Sequence, residues 1–531
     1  MKTTRREFVK AGMAGAAGVV AAAPSSGHAA PKQDKDHMDT KKRRPNILVI
    51  MTDQHSKHFL GCYGNKLVRT PHLDRLATEG MRFTDAYCPA PLCVPSRTSF
   101  MTGRMPSHNR VWNNNAILNS GTQTWAHVLG TAGYETSLIG RMHFCGADQR
   151  HGFENRPIGE YGAKHPGAPY RSKKPTRTPY YHGGSGQTRP DVTRAGRGRT
   201  TYQNMDERIT AKACGYLREH AGSTDRPFAA VVGFVLPHCP FIAPKPLFDY
   251  YYEKVDMPVA AKDLPPTIER FRRLRKIDRP LTDKQIRVAR AAYYGLCEHV
   301  DALIGQILTC LEKTGLSDNT LVVYCTDHGE LAGEHGCWWK SNYYEGSAGV
   351  PLIARLPGVT ASGSVSRGVC NLMDLGPTFA EVAGAGKIPH ANGRSLWPTL
   401  QGRHPKDWAN ETFSELCDHR GGNLPSRMIR SGKWKLWYYD DPERLSPALF
   451  DLDADPDECH DLGQDPKHVE IREQLLGKLF ADWDPERVHE QTAEGNRDFA
   501  ALARWGRQIK PPSPDAMEVP PPEFEADVEM L

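Results

Sequence analysis

No uninterrupted apolar run in the sequence approaches the roughly 20 residues that a membrane-crossing helix needs, so no membrane span is expected. One-signed charge is lacking too: 68 Lys and Arg against 62 Asp and Glu leave a formal charge of +6. That is too little for a dedicated nucleic-acid binder, so no nucleic-acid partner is expected, and it only leans toward an anionic substrate. There is no internal repeat, which sets aside solenoids and propellers. The 13 cysteines are an odd number and include no CxxC pair and no zinc-type spacing, which argues against a zinc ribbon or a thioredoxin-like motif. What remains is a soluble, globular composition, 39% hydrophobic. At 531 residues the chain exceeds one ordinary domain, and two are the natural expectation.

The first residues read as an address rather than as fold. Thr4-Arg5-Arg6-Glu7-Phe8-Val9-Lys10 is a twin-arginine pattern, followed by a small-residue apolar stretch from Ala11 to Ala23 and a cleavage-like Gly27-His28-Ala29-Ala30. Residues 1–30 therefore read as a bacterial Tat signal and 31–44 as a polar linker. The Tat translocase carries folded cargo, so the expected destination is the periplasm or outside. Export permits disulfides, but folding before export disfavours a disulfide framework, so most cysteines read as buried free thiols.

Along the rest of the chain, apolar strand-length runs alternate with helical patterns. Asn46–Met51, Thr136–Ile139, Phe228–Leu236 and Leu321–Cys325 read as strands. Asp74–Gly80, Thr124–Ala132, Asp206–His220 (with Asp206 a candidate N-cap) and Asp283–Gly315 read as helices. Apolar strands alternating with helices imply an α/β fold: a large, mostly parallel sheet sandwiched by helices. Residues 156–199 are rich in Gly, Pro, Lys and Arg and read as a basic insertion at a sheet edge, a candidate rim for a polyanion. After about residue 402 the pattern becomes an aromatic hairpin over Ser426–Tyr439, a strand at Ala448–Leu452 and a closing helix over Val469–Trp483. We assign 45–402 to a catalytic domain, 403–510 to a smaller α+β subdomain with an antiparallel sheet, and 511–531 to a Pro-rich tail.

Four of the strands run into polar residues. Asp53-Gln54 follow the first, Arg141 and His143 the second, His238 the third, and Asp327-His328 the fourth. In an open parallel sheet, ligands bind outside the carboxyl ends of the strands, so these residues should share one edge. Asp53 and Asp327 supply carboxylates for a hard cation; Gln54 and His328 add an amide oxygen and an imidazole nitrogen. Such a donor set favours Ca2+, with Mg2+ or Mn2+ as alternatives. Lys340 sits downstream on a Gly-punctuated loop that can bring an ammonium over the site. Cys93-Val94-Pro95-Ser96-Arg97 opens a helical segment that stops at Gly103, with a guanidinium one turn beyond a thiol. That arrangement suits work on a sulfate or phosphate group.

The Cys93–Arg97 segment resembles the maturation motif of the formylglycine-dependent sulfatases in the alkaline phosphatase superfamily. The resemblance extends over roughly residues 45–465. It rests also on Pro45-Asn46-Ile47-Leu48-Val49 with Asp53, Thr70-Pro71-His72-Leu73-Asp74-Arg75, Gly140-Arg141-Met142-His143, Pro237-His238, Thr326-Asp327-His328-Gly329, Lys340 and Leu449-Phe450-Asp451-Leu452. It implies an alkaline-phosphatase-like fold, conversion of Cys93 to formylglycine by a formylglycine-generating enzyme or a radical maturase, and one divalent cation held by Asp53, Gln54, the Cys93 position, Asp327 and His328. It further implies that the cation, Arg97 and Arg141 activate the hydrated aldehyde, that Lys340, His238 and the cation hold sulfuryl oxygens, that His238 or Lys340 protonates the leaving alcohol, and that His143 is a base. Gln54, His328 and Arg141 stand where Asp, Asn and Lys are usual; the Asp-Gln and Asp-His pairs resemble the choline-sulfatase and iduronate-sulfatase branches and the phosphonate monoester hydrolases. The implied activity is sulfate ester hydrolysis, on a sulfated polysaccharide or a small ester such as choline sulfate. Phosphonate monoester or phosphodiester hydrolysis is the nearest alternative, and a catalytically dead sulfated-glycan binder the alternative from another class.

Overall fold

The computed structural model describes residues 44–159, 187–222, 226–403, 405–418, 422–443, 445–511 and 528–530. The twin-arginine segment, nearly all of the linker, the centre of the basic insertion and most of the Pro-rich tail lie outside the described residues. From Arg44 onward the chain forms one compact unit.

An eight-stranded sheet is its frame. The strand order is Ser364–Ser366, Met81–Phe83, Leu352–Arg355, Thr320–Thr326, Asn46–Asp53, Phe228–Pro237, Glu135–Gly140 and Asn155–Ile158. Only Leu352–Arg355 runs against the others. The four strands singled out by their polar ends are consecutive in this order, so their carboxyl ends lie side by side. Asn155–Ile158 is the edge strand, so the basic insertion begins as the border of the sheet itself. The central strands Phe228–Pro237 and Thr320–Thr326 are buried at every residue, as parallel strands covered on both faces must be.

The helix Asp283–Lys313 packs its apolar stripe on the sheet and starts at a Thr282/Gln285 capping box. It also fixes the site: Tyr293 Oη donates to the Gln54 carbonyl at 2.6 Å and accepts from Ser56 N at 2.9 Å. The helix read from Asp206 begins earlier, at Thr201, with Thr200 and Gln203 forming the capping box. Asp206 is not its N-cap. It lies buried within the helix, where its carboxylate accepts from Val235 N and Leu236 N at 2.8–3.1 Å. It thereby holds the end of the strand that leads to His238.

The second sheet pairs Glu411–Leu416, Ser426–Ser431, Trp434–Tyr439 and Ala448–Asp451, all antiparallel. Helix Val469–Phe480 covers it, and a further helix not anticipated from the pattern, Pro485–Ile509, follows. A buried ion cluster ties this sheet to segments that flank the large one. Lys435 Nζ reaches Glu345 at 2.7 Å and Glu458 at 2.6 Å, and Lys57 pairs with the other oxygen of Glu345 at 2.6 Å. All 13 cysteines are free, nine of them buried. No helix among the described residues is long and apolar enough to cross a membrane.

Candidate active site

Close backbone approaches bring the strand ends together. Arg141 N donates to the Gly233 carbonyl at 2.8 Å, and a Cβ at Gly233 would lie 1.8 Å from the Arg141 carbonyl oxygen. A Cβ at Gly329 would meet the Gly346 carbonyl at 2.0 Å. Only glycine permits either contact. Gln54, His143, Trp339 and Ser341 take positive φ values of 58–70° at the site, conformations that non-glycine residues hold only where the surroundings impose them.

Cys93 is the first residue of the helix Cys93–Thr102, which ends at Gly103 in the left-handed conformation. Its Sγ lies 3.1 Å from His328 Nε2 and 3.8 Å from Asp53 Oδ1. Burial and the Asp53 carboxylate push this thiol up, but Lys340 and His328 pull it below its ordinary value. The neighbouring buried thiols Cys88 and Cys325 are driven up instead, chiefly by burial. That contrast sets Cys93 apart from these two buried thiols.

Arg97, wholly buried, clamps both carboxylates. Its Nε donates to Asp327 Oδ2 at 2.7 Å and its Nη2 to Asp53 Oδ2 at 3.2 Å; two further bonds go to the Thr52 and Arg141 carbonyls. Arg141 Nε adds a 2.6 Å bond to the same Asp53 oxygen. Burial raises the Asp53 carboxyl, yet Arg141, His238, Arg97 and His328 together hold it well below the usual carboxylate range. With the Oδ2 atoms engaged by guanidinium, the Oδ1 atoms face inward. The Oδ1 atoms of Asp53 and Asp327 lie 3.8 and 3.6 Å from His328 Nε2. His328 Nδ1 donates to the Gly329 carbonyl at 3.0 Å, which leaves Nε2 as the ring nitrogen that would give up its proton to become a ligand. One ligand atom from each of Asp53, Cys93, Asp327 and His328 thus falls within 4.8 Å of every other. Two carboxylates and one imidazole around a common centre fit a hard divalent cation, and among the described residues no multi-thiol cluster accompanies them.

Gln54 stands beside this centre with both ends of its amide occupied. Its Oε1 accepts from Lys340 Nζ, and its Nε2 donates to Glu330 Oε2 at 2.5 Å. Lys340 also donates to His238 Nε2 at 3.0 Å, while His238 Nδ1 faces the Cys239 carbonyl at 2.6 Å. Burial, reinforced by Lys340, holds the His238 pKa well below its ordinary value. Glu330 Oε1 accepts from Ala332 N at 2.8 Å and Trp339 N at 2.6 Å. It therefore both closes the loop carrying Lys340 and orients Gln54. Glu330 escaped the sequence reading because nothing in its residue type distinguishes a buried, loop-closing carboxylate from a solvated one.

Asp53, Gln54, Cys93, Arg97, Asp327, His328 and Lys340 are at most 1% exposed, whereas Arg141, His143 and His238 are 9%, 8% and 6% exposed. The last three form the mouth. Arg141 Nη2 donates to His143 Nδ1 at 2.7 Å. The structure gathers every residue selected from the strand ends, the Cys93 helix and the Lys340 loop into one cluster, with three fixed cations (Arg97, Arg141, Lys340) facing two carboxylates.

Residues 45–385 match the sulfatase family model, and residues 333–483 the model for the N-sulphoglucosamine sulphohydrolase C-terminal region. The chain belongs to the sulfatase family. It is similar to a choline-sulfatase of Rhizobium meliloti (strain 1021), 35% identical over 80% of this chain and 83% of that protein. It is also similar to human arylsulfatase K, 28% identical over 88% of this chain and 87% of that protein. A phosphonate monoester hydrolase from Silicibacter pomeroyi superposes with a TM-score of 0.67 at 24% identity, over 82% of this chain and 94% of that one. A protein solved with its substrate D-glucosamine-2-N,6-O-disulfate superposes with a TM-score of 0.65 at 24% identity, over 83% and 99% of the two chains. These two share the fold: the large, mostly parallel sheet between helices, with a separate antiparallel sheet, is alkaline-phosphatase-like. This sulfatase is a sulfuric ester hydrolase.

Proposed function

We propose that this sulfatase cleaves sulfate esters with a nucleophile made by oxidising Cys93 to formylglycine, beside one divalent cation, Ca2+ by its oxygen-rich donors. The observation that carries the reading is the position of Cys93: within 3.1 Å of His328, with the inward oxygens of Asp53 and Asp327 next to it and Arg97 behind both. Asp53, Cys93, Asp327 and His328 would hold the cation, with Gln54 adjoining. When bound, it supplies Lewis acidity to the nucleophile and to a sulfuryl oxygen.

The chain's own residues do the rest. Arg97 orients both carboxylates and helps to keep Asp53 ionised. Lys340 spends two of its three N–H donors on Gln54 and His238, leaving one for the ester. Lys340 stabilises charge on the sulfuryl oxygens and protonates the departing alcohol, while neutral His238, accepting from Lys340 through Nε2 and held by the Cys239 carbonyl at Nδ1, aims the ammonium. His143 Nδ1 is occupied by Arg141 in the absence of substrate. Its role as base for the Cys93-derived hydroxyl therefore requires Arg141 to turn toward the ester oxygens, which couples substrate capture to base release.

Three fixed cations against two carboxylates, with a divalent cation added, suit an ester anion. The choline-sulfatase relative supports a small sulfate ester as substrate. The N-sulphoglucosamine sulphohydrolase region and the basic insertion support a sulfated carbohydrate, which the twin-arginine export signal favours. A maturase would act on Cys93 before Tat export to the periplasm or medium. Phosphonate monoester hydrolysis remains the competing activity, favoured by the shared fold with a known hydrolase of that class. Rates on choline sulfate, a sulfated disaccharide, an aryl sulfate and an aryl phosphonate monoester, measured side by side, test the reading. Faster turnover of the phosphonate than of every sulfate would overturn it.

A further inference from the structure

Beyond the C-terminal end of the helix that begins at Cys93 lies a cavity of about 550 Å³ that the active site does not use. Its volume is that of a ligand site. Arg104, His108, Arg110, His390 and Arg487 line it, and among the described residues no carboxylate does. Three segments form the walls: the turn after the helix, the loop around Asn392, and the helix Pro485–Ile509.

These walls are braced against one another. Asn392 N and Gly393 N donate to the Gly103 carbonyl at 2.7 and 3.1 Å. Asn392 Oδ1 accepts from Met105 N at 3.0 Å and lies 2.7 Å from His108 Nδ1. Trp112 Nε1 donates to Gln491 Oε1 at 2.9 Å, fixing the C-terminal helix. Arg104 is held by two bonds to the Pro389 carbonyl, at 3.2 and 2.8 Å. That partner is neutral and leaves the guanidinium charge uncancelled. Arg110 is paired with Glu494. Among the described residues neither Arg104 nor Arg487 forms an ion pair. Two unneutralised guanidinium groups and two imidazoles in a pre-formed cavity match a tetrahedral oxyanion, which arginine grips through paired N–H donors.

We propose that this cavity is a second, non-catalytic binding site for a sulfate group. It is separated from Cys93 by the ten-residue helix, a span of about 15 Å. The ligand is either a sulfate carried by a carbohydrate or free inorganic sulfate, the reaction's product. The carbohydrate source rests on the substrate reading above; the oxyanion site does not.

The test uses the full chain carrying Cys93→Ala, which abolishes turnover, titrated calorimetrically with sodium sulfate and separately with a heparin-derived hexasaccharide. Arg487 is exposed on a helix, so Arg487→Glu should fold, with Arg104→Gln as a second variant probing the opposite wall. The expected result is that each variant removes one class of binding sites or weakens it by about tenfold or more, a loss of about 1.4 kcal/mol. Turnover of an aryl sulfate by Arg487→Glu with Cys93 intact should stay unchanged. Loss seen with sulfate alone marks the free anion as ligand; loss seen only with the hexasaccharide marks the carbohydrate. Equal binding by parent and both variants, or one class of sites in the parent, overturns the proposal. If aryl sulfate is never hydrolysed yet the variants still lose binding, the sulfatase mechanism fails and the second site stands.

Discussion

Glu330→Gln is the substitution that most sharply probes how the site is held. The wild-type carboxylate accepts three bonds, from Ala332 N, Trp339 N and Gln54 Nε2. A glutamine has the same shape, and its Oε1 can keep both backbone donors. Its amide NH2 would then face the NH2 of Gln54. To avoid two donors meeting, Gln54 must turn over, which presents its NH2 to the Lys340 ammonium instead of its oxygen. The loss is one charge-assisted hydrogen bond on Lys340, about 1.5–3 kcal/mol. Because Lys340 is assigned to the ester, most of that should appear in the transition state, a fall of about 10- to 150-fold in kcat/KM. Folding should suffer less, because the loop-closing bonds survive. The assay is steady-state hydrolysis of an aryl sulfate alongside thermal unfolding. Glu330→Gln within twofold of wild type in kcat/KM would refute the view that Glu330 orients the Gln54–Lys340 pair. A collapse of folding with no change in specific activity of the surviving fraction would refute it too. Glu330→Ala, which also leaves Ala332 N and Trp339 N unpaired, should be worse in both measurements.

Other outcomes follow from the same geometry. Chelation should lower the melting temperature and abolish turnover, with Ca2+ restoring both; a cation at 100 times its Kd contributes about 2.7 kcal/mol, and Asp327→Asn should make melting indifferent to chelator. Lys435→Met leaves Glu345 and Glu458 without their shared cation and should cost about 3–5 kcal/mol in urea unfolding; a loss under about 1 kcal/mol would mean the two sheets are joined mainly by apolar contact. Burial raises Asp301 to about 7 while it accepts from His72 N and Leu73 N. Its folded pKa therefore lies above its unfolded value, so its contribution is full below about pH 4 and is lost as pH rises toward 7, by up to about 4 kcal/mol. Unfolding measured at pH 4.5 and 7.5 should show a shallower fall in Asp301→Asn than in wild type.

The sheet was legible because buried parallel strands leave continuous apolar runs, and the site because each central strand ends in a polar residue. Asp53, Arg141, His238 and Asp327 could be placed on one edge without knowing any contact. What could not be read were bonds between residues far apart in sequence. Glu330 and Gln54 are 276 positions apart, and only the folded loop shows that one orients the other. Asp206 misled for a related reason: an Asp near a helical pattern suggests an N-cap, but tertiary demand from the Val235 and Leu236 N–H groups drew it into the core, and Thr200 caps the helix. The Arg141–His143 bond was equally hidden, since spacing of two after a strand does not fix side-chain direction. Pro485–Ile509 was overlooked because its largely exposed, charged surface carries a weak apolar stripe.

The central claim is chemical: that the Cys93 side chain, drawn among Asp53, Asp327, His328 and Arg97, is the precursor of an aldehyde nucleophile. Mass measurement of the peptide containing Cys93, from protein purified out of its native host, tests it most directly. The account predicts a residue whose CH2SH has become CHO, with loss of alkylation at that position and reactivity toward hydrazide. An alkylatable thiol at Cys93 in protein that turns over sulfate esters at full rate would contradict it.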